Sequence, residues 1–330
     1  MIPFFKDAKI EHQFQEFGFV KFAQIDSKII QQILDVNKKL NIPDDMGRNF
    51  NVGLNCNSLE KRLRMREALV ILLEDFFKEI TNNRSIHSAT LMDKISNKYS
   101  IVPAHQDWTY TDEKIYDSVM CWIPLVDVNY RNGALGFVPK SNHFFNYVRY
   151  FPFPNNHTPV DAYNLLLMTY FEVIEMKAGE IIFFNNKTIH GSFPNLEKET
   201  RHALALSFGI NEQPLYAYLK KPGASNLVSK YAVDIDFSHK YNNTYIENCV
   251  NNKTPYNFDY PLLEELEINF PKLSLAEMKN LLNQNEIKQN INYANYITAN
   301  FGDLLSLNET STIPTTQTSL FAKLKNLLLR

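Results

Sequence analysis

The sequence predicts a mainly β protein with flanking helices, its core an antiparallel sandwich or barrel. Helical periodicity fills the first ninety residues, six short strand-like runs follow between about residue 88 and residue 210, and turn clusters such as NYRNG, KAG and FPNLEKE separate those runs. Short strands in close succession are the mark of a sandwich or barrel.

The first helix is expected where Ile29, Ile30, Ile33, Leu34 and Val36 recur, and the second where Leu63, Met65, Leu69, Leu72, Leu73, Phe76 and Phe77 recur. Ser58 is placed to cap the second helix, and Asn82-Asn83 to close it with residues that tolerate a left-handed turn. Residues 1–87 therefore read as a helical scaffold. The strand runs ATLMDKI, SVMCWIPLVDV, ALGFVP, FEVIEM, EIIFF and HALALSFGI make a core over 88–215. Residues 144–170 interrupt them with FFNYVRYFPFP and a polar piece, as a lid over a barrel mouth would. The expected main domain is thus 1–220. Residues 221–307 are Asn-rich, and their apolar segments PLLEELEINF and LSLAEMKNLLNQ are expected to pack as extra helices on the core. Residues 308–318 read as a linker and 319–330 as an amphipathic helix, whose stripe of Leu320, Phe321, Leu324, Leu327 and Leu328 must bury against its own domain, a second subunit, or another protein or membrane surface.

Charge narrows the function classes. With 34 Lys+Arg against 36 Asp+Glu, the net charge of -2 provides no basic field for nucleic acid or anionic lipid, and a small-molecule substrate is expected instead. Three cysteines, odd in number and far apart, fit neither a disulfide framework nor a CxxC metal site. No apolar run approaches the roughly 18 residues of a membrane span. The expected location is cytoplasmic.

The chemistry is concentrated in His105-Gln106-Asp107 and the later His190. In a strand, positions 105 and 107 share a face, and a later strand can bring His190 alongside. Two imidazoles and one carboxylate form a facial triad that leaves three positions open on an octahedral ion, the arrangement of non-haem Fe(II) oxygenases. Arg201, eleven residues further on, suits bidentate capture of a dicarboxylate's distal end, and Ser192 can add a hydroxyl. The competing reading makes Arg201 a surface partner of Glu197 or Glu199. Lys94 is either a solvated strand lysine or a contact for that dicarboxylate or for substrate. Trp108 and Tyr110 either pack beside the ligand strand or touch substrate, and Tyr147, Arg149 and Tyr150 either clamp substrate or form a lid seam. Gln106, facing away, is expected to be structural, and His143 to steady a turn. His157 and His202 carry no partner signal.

HQDWTY at 105–110, CWIPLVDVNYRNGALGFVPKSNH at 121–143 and KAGEIIFFNNKTIHGSFPNLEKETRHALALSF at 177–208 together resemble the phytanoyl-CoA dioxygenase family of Fe(II)- and 2-oxoglutarate-dependent oxygenases. The resemblance covers roughly residues 10–215. It implies a double-stranded β-helix, or jelly-roll, braced by N-terminal helices. It also implies His105, Asp107 and His190 as iron ligands, Arg201 and Ser192 on the 2-oxoglutarate carboxylate, and Trp122 lining the cosubstrate pocket. The implied reaction uses Fe(II), 2-oxoglutarate and O2, hydroxylates a C–H bond of a small metabolite and releases succinate and CO2. Desaturation, cyclisation and epimerisation would use the same ligands, and Asp107 occupies the position a halide would need. Two rivals are a non-catalytic β-helix binding protein and a cupin-like metalloenzyme without 2-oxoglutarate. One departure, Lys140 before Ser141 where the family usually has glycine, concerns a turn.

Overall fold

Eight strands, β3 (Arg84–Lys94), β4 (Val102–His105), β5 (Val119–Pro124), β6 (Leu135–Phe137), β7 (Glu172–Val173), β8 (Glu180–Asn185), β9 (His190–Ser192) and β10 (Arg201–Ile210), wind between two antiparallel sheets. The larger sheet contains the order β8-β5-β10-β3 and the smaller is β4-β9-β6-β7. Except between β6 and β7, successive strands change sheet, which is the jelly-roll double-stranded β-helix. The computed structural model describes residues 2–42, 49–151, 158–211 and 213–309. His157, part of the expected lid, most of the expected linker and the whole expected terminal helix lie outside the described residues.

The expected helices form as α2 (Ser27–Leu40) and α3 (Leu59–Ile80). Asp26 caps the first by accepting from Lys28 N, and Ser58 caps the second by accepting from Lys61 N. Met65, Leu69, Leu73 and Phe77 make the buried stripe of α3, which packs on the outer face of the larger sheet with Phe183 and Phe208. The first 87 residues are not purely helical, however. After a further helix, α1 (Ala8–Phe17), β1 (Phe19–Gln24) pairs with β8, and β2 (Phe50–Val52) pairs with β3. The scaffold thus supplies both edges of a six-stranded sheet. These strands are too short for a period of two to stand out, and pairing with a formed sheet decides them.

The chain beyond the core also differs from expectation. β11 (Leu215–Lys220), β12 (Leu227–Val233) and β13 (Leu262–Glu267) form a second antiparallel unit. PLLEELEINF is therefore a strand in its central part, where Glu264 and Glu265 meet Lys230 and Lys221. Between β12 and β13 lie α6 (Phe237–Lys240) and α7 (Asn243–Asn251). LSLAEMKNLLNQ does form a helix, α8 (Leu275–Gln284), with a Ser274–Glu277 capping box. Met278 and Leu282 of α8, with Ile297 of α9 (Ile291–Glu309), pack beside the smaller sheet against Leu165 and Met168 of a short helix, α5 (Asn164–Met168).

Lys140 has φ +63°, the left-handed region in which a glycine would be unstrained. The three cysteines are buried and unbonded to one another. No helix among the described residues is long and apolar enough to cross a membrane.

Candidate metal centre

β4 and β9 are antiparallel neighbours, and His105 and His190 are direct partners in their register. A register pair puts both side chains on one face of the sheet, here the face turned inward. The ring centroids lie 4.3 Å apart. Gly191 permits the approach, because a Cβ there would stand 2.6 Å from Val102 O. Asp107 completes the group, with carboxylate oxygens 3.6 Å from His105 Nε2 and 3.6 Å from His190 Nε2. One ligand atom from each of the three lies within 4.8 Å of the others, close enough to hold one metal ion. β4 ends at His105, so Asp107 belongs to the irregular segment beyond the strand rather than to the strand face expected from the sequence.

Both histidines are presented in the form a metal requires. His105 Nδ1 is 2.8 Å from Pro103 O and His190 Nδ1 is 2.9 Å from Thr188 O. A carbonyl only accepts, so each Nδ1 carries the proton and each Nε2 keeps its lone pair. Burial, with His105 nearby, lowers the His190 imidazole to about 4. Burial pushes the Asp107 carboxyl up, but His190, His105 and Arg149 outweigh it and hold it below its ordinary value.

The triad opens into a cavity of about 280 Å³, close to the lower end of small-molecule sites. Arg201 lines it too, 1% exposed, with its Nε and Nη1 unpartnered among the described residues. The surface pairing with Glu197 does not occur; Glu197 bonds Arg131 instead. The guanidinium carbon of Arg201 lies 5.2 Å from the ring centroid of Trp122, itself buried and lining the cavity. Burial lowers Arg201 only to about 10, so it stays charged near neutrality.

Lys94 is not solvated. It is fully buried directly opposite Arg201, and its Nζ donates to Ser192 Oγ and, at 2.8 Å, to Phe193 O. Burial and the neighbouring Arg201 push its ammonium well below the ordinary lysine value. An inward face at the end of β3 explains the placement, which the sequence pattern leaves open.

Several other residues settle into structural roles. Tyr147 donates to Gln106, Arg149 pairs with Glu113, and Tyr150 stacks on Phe270, so the segment is a seam where a substrate clamp was an alternative. His143 contacts Gln15 O, and His202 pairs with Asp93 at 2.6 Å. Trp108 and Tyr110 both line the cavity and pack with Phe151 in an aromatic cluster. Sequence reasoning missed Phe50, Asn186, Asn243 and Glu247 as cavity residues. The last two are four apart on α7, a spacing that shares a helix face, but nothing local says what that face covers.

Residues 42–203 match the family Phytanoyl-CoA dioxygenase (PhyH). A protein of Arabidopsis thaliana named phytanoyl-CoA dioxygenase is 30% identical over 210 residues, which are 62% of this chain and 66% of that protein. The match therefore spans just under two thirds of that relative's length. Phytanoyl-CoA dioxygenase 1 of Oryza sativa subsp. japonica is 29% identical over 62% of this chain and 67% of its own. Among solved structures, HygX from Streptomyces hygroscopicus, with nickel, 2-oxoglutarate and hygromycin B bound, is 14% identical with a TM-score of 0.45 over 62% of this chain and 88% of that one.

Proposed function

Because residues 42–203 belong to the phytanoyl-CoA dioxygenase family, we propose that this chain is an Fe(II)- and 2-oxoglutarate-dependent dioxygenase that hydroxylates an unactivated C–H bond of a small metabolite. One observation carries the reading: a single cavity has the His105, Asp107 and His190 cluster and a buried arginine with two unpartnered nitrogens on its walls. Two imidazoles and a carboxylate suit iron. Two unsatisfied nitrogens on a buried guanidinium are costly, and a carboxylate satisfies them bidentately.

In this reading His105, Asp107 and His190 hold Fe(II). Arg201 receives the distal carboxylate of 2-oxoglutarate, Ser192, anchored by Lys94, adds a hydroxyl, and Trp122 walls the cosubstrate site. Iron with 2-oxoglutarate and O2 supplies an oxidant strong enough for a C–H bond, with succinate and CO2 as co-products. The protein would hold the ion on His105, Asp107 and His190, orient the cosubstrate from Arg201, and use the aromatic walls to exclude water and to place the substrate. Which bond faces the iron decides between hydroxylation and desaturation, cyclisation or epimerisation. The catalytic unit is residues 1–220, and 221–307, packed on it, adds Asn243 and Glu247 to the cavity wall. Three unpaired cysteines suit a reducing, cytoplasmic setting.

The test is succinate formation from 2-oxoglutarate by the Fe(II)-loaded full-length chain, with a mass-spectrometric screen for metabolites gaining one oxygen. Succinate with a product heavier by one oxygen is the expected outcome. A product lighter by two hydrogens redirects the reading to desaturation, and a chain that binds Fe(II) yet never forms succinate is a binding protein.

A further inference from the structure

Asp107 has no strand to position it, since β4 ends two residues earlier. The segment that carries it is gripped from both sides. On one side is the turn after β8: Asp107 N donates to Asn186 O at 3.0 Å, Asn186 Nδ2 donates to Trp108 O at 2.8 Å, and Gln106 Nε2 donates to Lys187 O. On the other is the chain at 147–151. The Tyr147 hydroxyl donates to Gln106 Oε1 at 2.7 Å, Arg149 Nε donates to Asp107 O at 2.6 Å, and Thr109 N donates to Arg149 O at 3.2 Å.

Arg149 is aimed by a second contact. Its Nη2 pairs with Glu113, and their side chains are 4% and 10% exposed. The guanidinium is planar, so fixing one edge on Glu113 fixes the direction of the Nε–H at the other. The grip then continues away from the metal centre. Phe151 N donates to Tyr218 O, Lys220 N donates to Phe151 O, and Tyr216 N donates to Tyr110 O, each at 2.9 Å. The segment bearing Asp107 is thereby tied to β11, and through it to the β11–β12–β13 sheet, all of which lies beyond the residues that match the family.

We propose that Arg149, aimed by Glu113, is a positioning residue that fixes the Asp107 carboxylate for metal binding, and that the C-terminal sheet supports the metal centre through Phe151. This rests on the reading of His105, Asp107 and His190 as a metal site. A carboxylate on an irregular segment keeps its angle to the two imidazoles only if the backbone beneath it is held, and here the only side chain that donates to the Asp107 carbonyl, among the described residues, is Arg149. Outer partners of metal ligands typically govern affinity by 10-fold to 100-fold.

The experiment uses the full chain with Co(II) as the probe, titrated by visible absorption, together with circular dichroism to establish folding. The double variant Arg149→Met/Glu113→Gln removes both buried charges at once, so neither is left unpaired. It is expected to fold, to bind Co(II) about 10-fold or more weakly, and to show an altered visible band, because the carboxylate has moved relative to the imidazoles. A folded double variant with wild-type affinity and band overturns the proposal. Should that variant fail to fold, Arg149→Lys carries the same expectation and the same refutation, since an ammonium keeps the charge beside Glu113 but cannot fork to the Asp107 carbonyl. Wild-type protein that binds no Co(II) overturns the metal-site reading itself and the positioning role with it, which separates the two failures.

Discussion

Lys94 and Arg201 are direct cross-strand partners on β3 and β10, and both are buried. Like charges directly opposite each other normally destabilise a sheet, and burial with Arg201 alongside pushes the Lys94 ammonium well below its ordinary value. Lys94 is held by Ser192 Oγ and Phe193 O, while Arg201 faces the cavity that the triad also lines.

Arg201→Ala removes charge-assisted hydrogen bonds worth about 1.5–3 kcal/mol. At about 1.4 kcal/mol per tenfold, 2-oxoglutarate should bind roughly 10-fold to 100-fold more weakly. Metal binding should survive. Calorimetric titration of the Co(II)-loaded variant checks both, and an unchanged 2-oxoglutarate affinity removes Arg201 from the site.

His190→Ala deletes one of three ligands and opens a hole beside Phe184 and Phe137, whose ring centroids lie 4.5 Å and 6.0 Å from the imidazole. Bound iron should fall below a tenth of the wild-type level, an order-of-magnitude expectation for a lost ligand. Succinate formation should vanish with it. Metal analysis after gel filtration is the measurement, and full iron occupancy would refute the assignment.

Gly191→Ala places a Cβ 2.6 Å from Val102 O and 3.0 Å from Pro103 O, both backbone atoms that cannot rotate away. β4 and β9 must then separate, and with them His105 and His190. The unfolding free energy should drop by about 1–3 kcal/mol, as for other overpacked cores, and metal affinity should fall too. Urea denaturation and Co(II) titration report the two effects. A stable variant of weakened affinity would place the change at the metal centre alone.

His87, His190 and His239 are each lowered to about 4, principally by burial. Unfolded, each takes up a proton near 6.5, so between about 6.5 and about 4 the unfolded chain binds more protons. Stability of the metal-free protein should therefore decline as pH falls through that window, and these three groups should leave it unchanged above about 7. Melting temperatures measured between pH 7.5 and 4.5 test this. A flat profile would mean that the imidazoles are accessible in the native state.

Much of this was legible in the chain itself. The periodic apolar positions of α2 and α3, the Ser58 cap and the short strand runs are local signals, and local signals are what a sequence carries best. The blocks around His105, Trp122, His190 and Arg201 point to the clustering of His105, Asp107 and His190, to an inward Arg201 and to the jelly-roll. The resemblance supplied the topology, and sequence periodicity alone would have stopped at a sandwich or barrel.

Tertiary structure decided what depends on partners far away in the chain. Whether Lys94 is solvated turns on its register with Arg201 and on which face of β3 is covered. Asp107 appeared to share a strand face with His105, yet the strand ends first, and the carboxylate owes its place to Asn186 and Arg149, which no spacing rule connects. Leu262–Glu267 took the extended form because β12 offered it a strand edge, with Lys230 of that strand facing Glu264 and Lys221, just past β11, reaching Glu265. In each case the free energy lies in burial and pairing between distant segments, and propensity, worth only tenths of a kcal/mol per residue, yields to it.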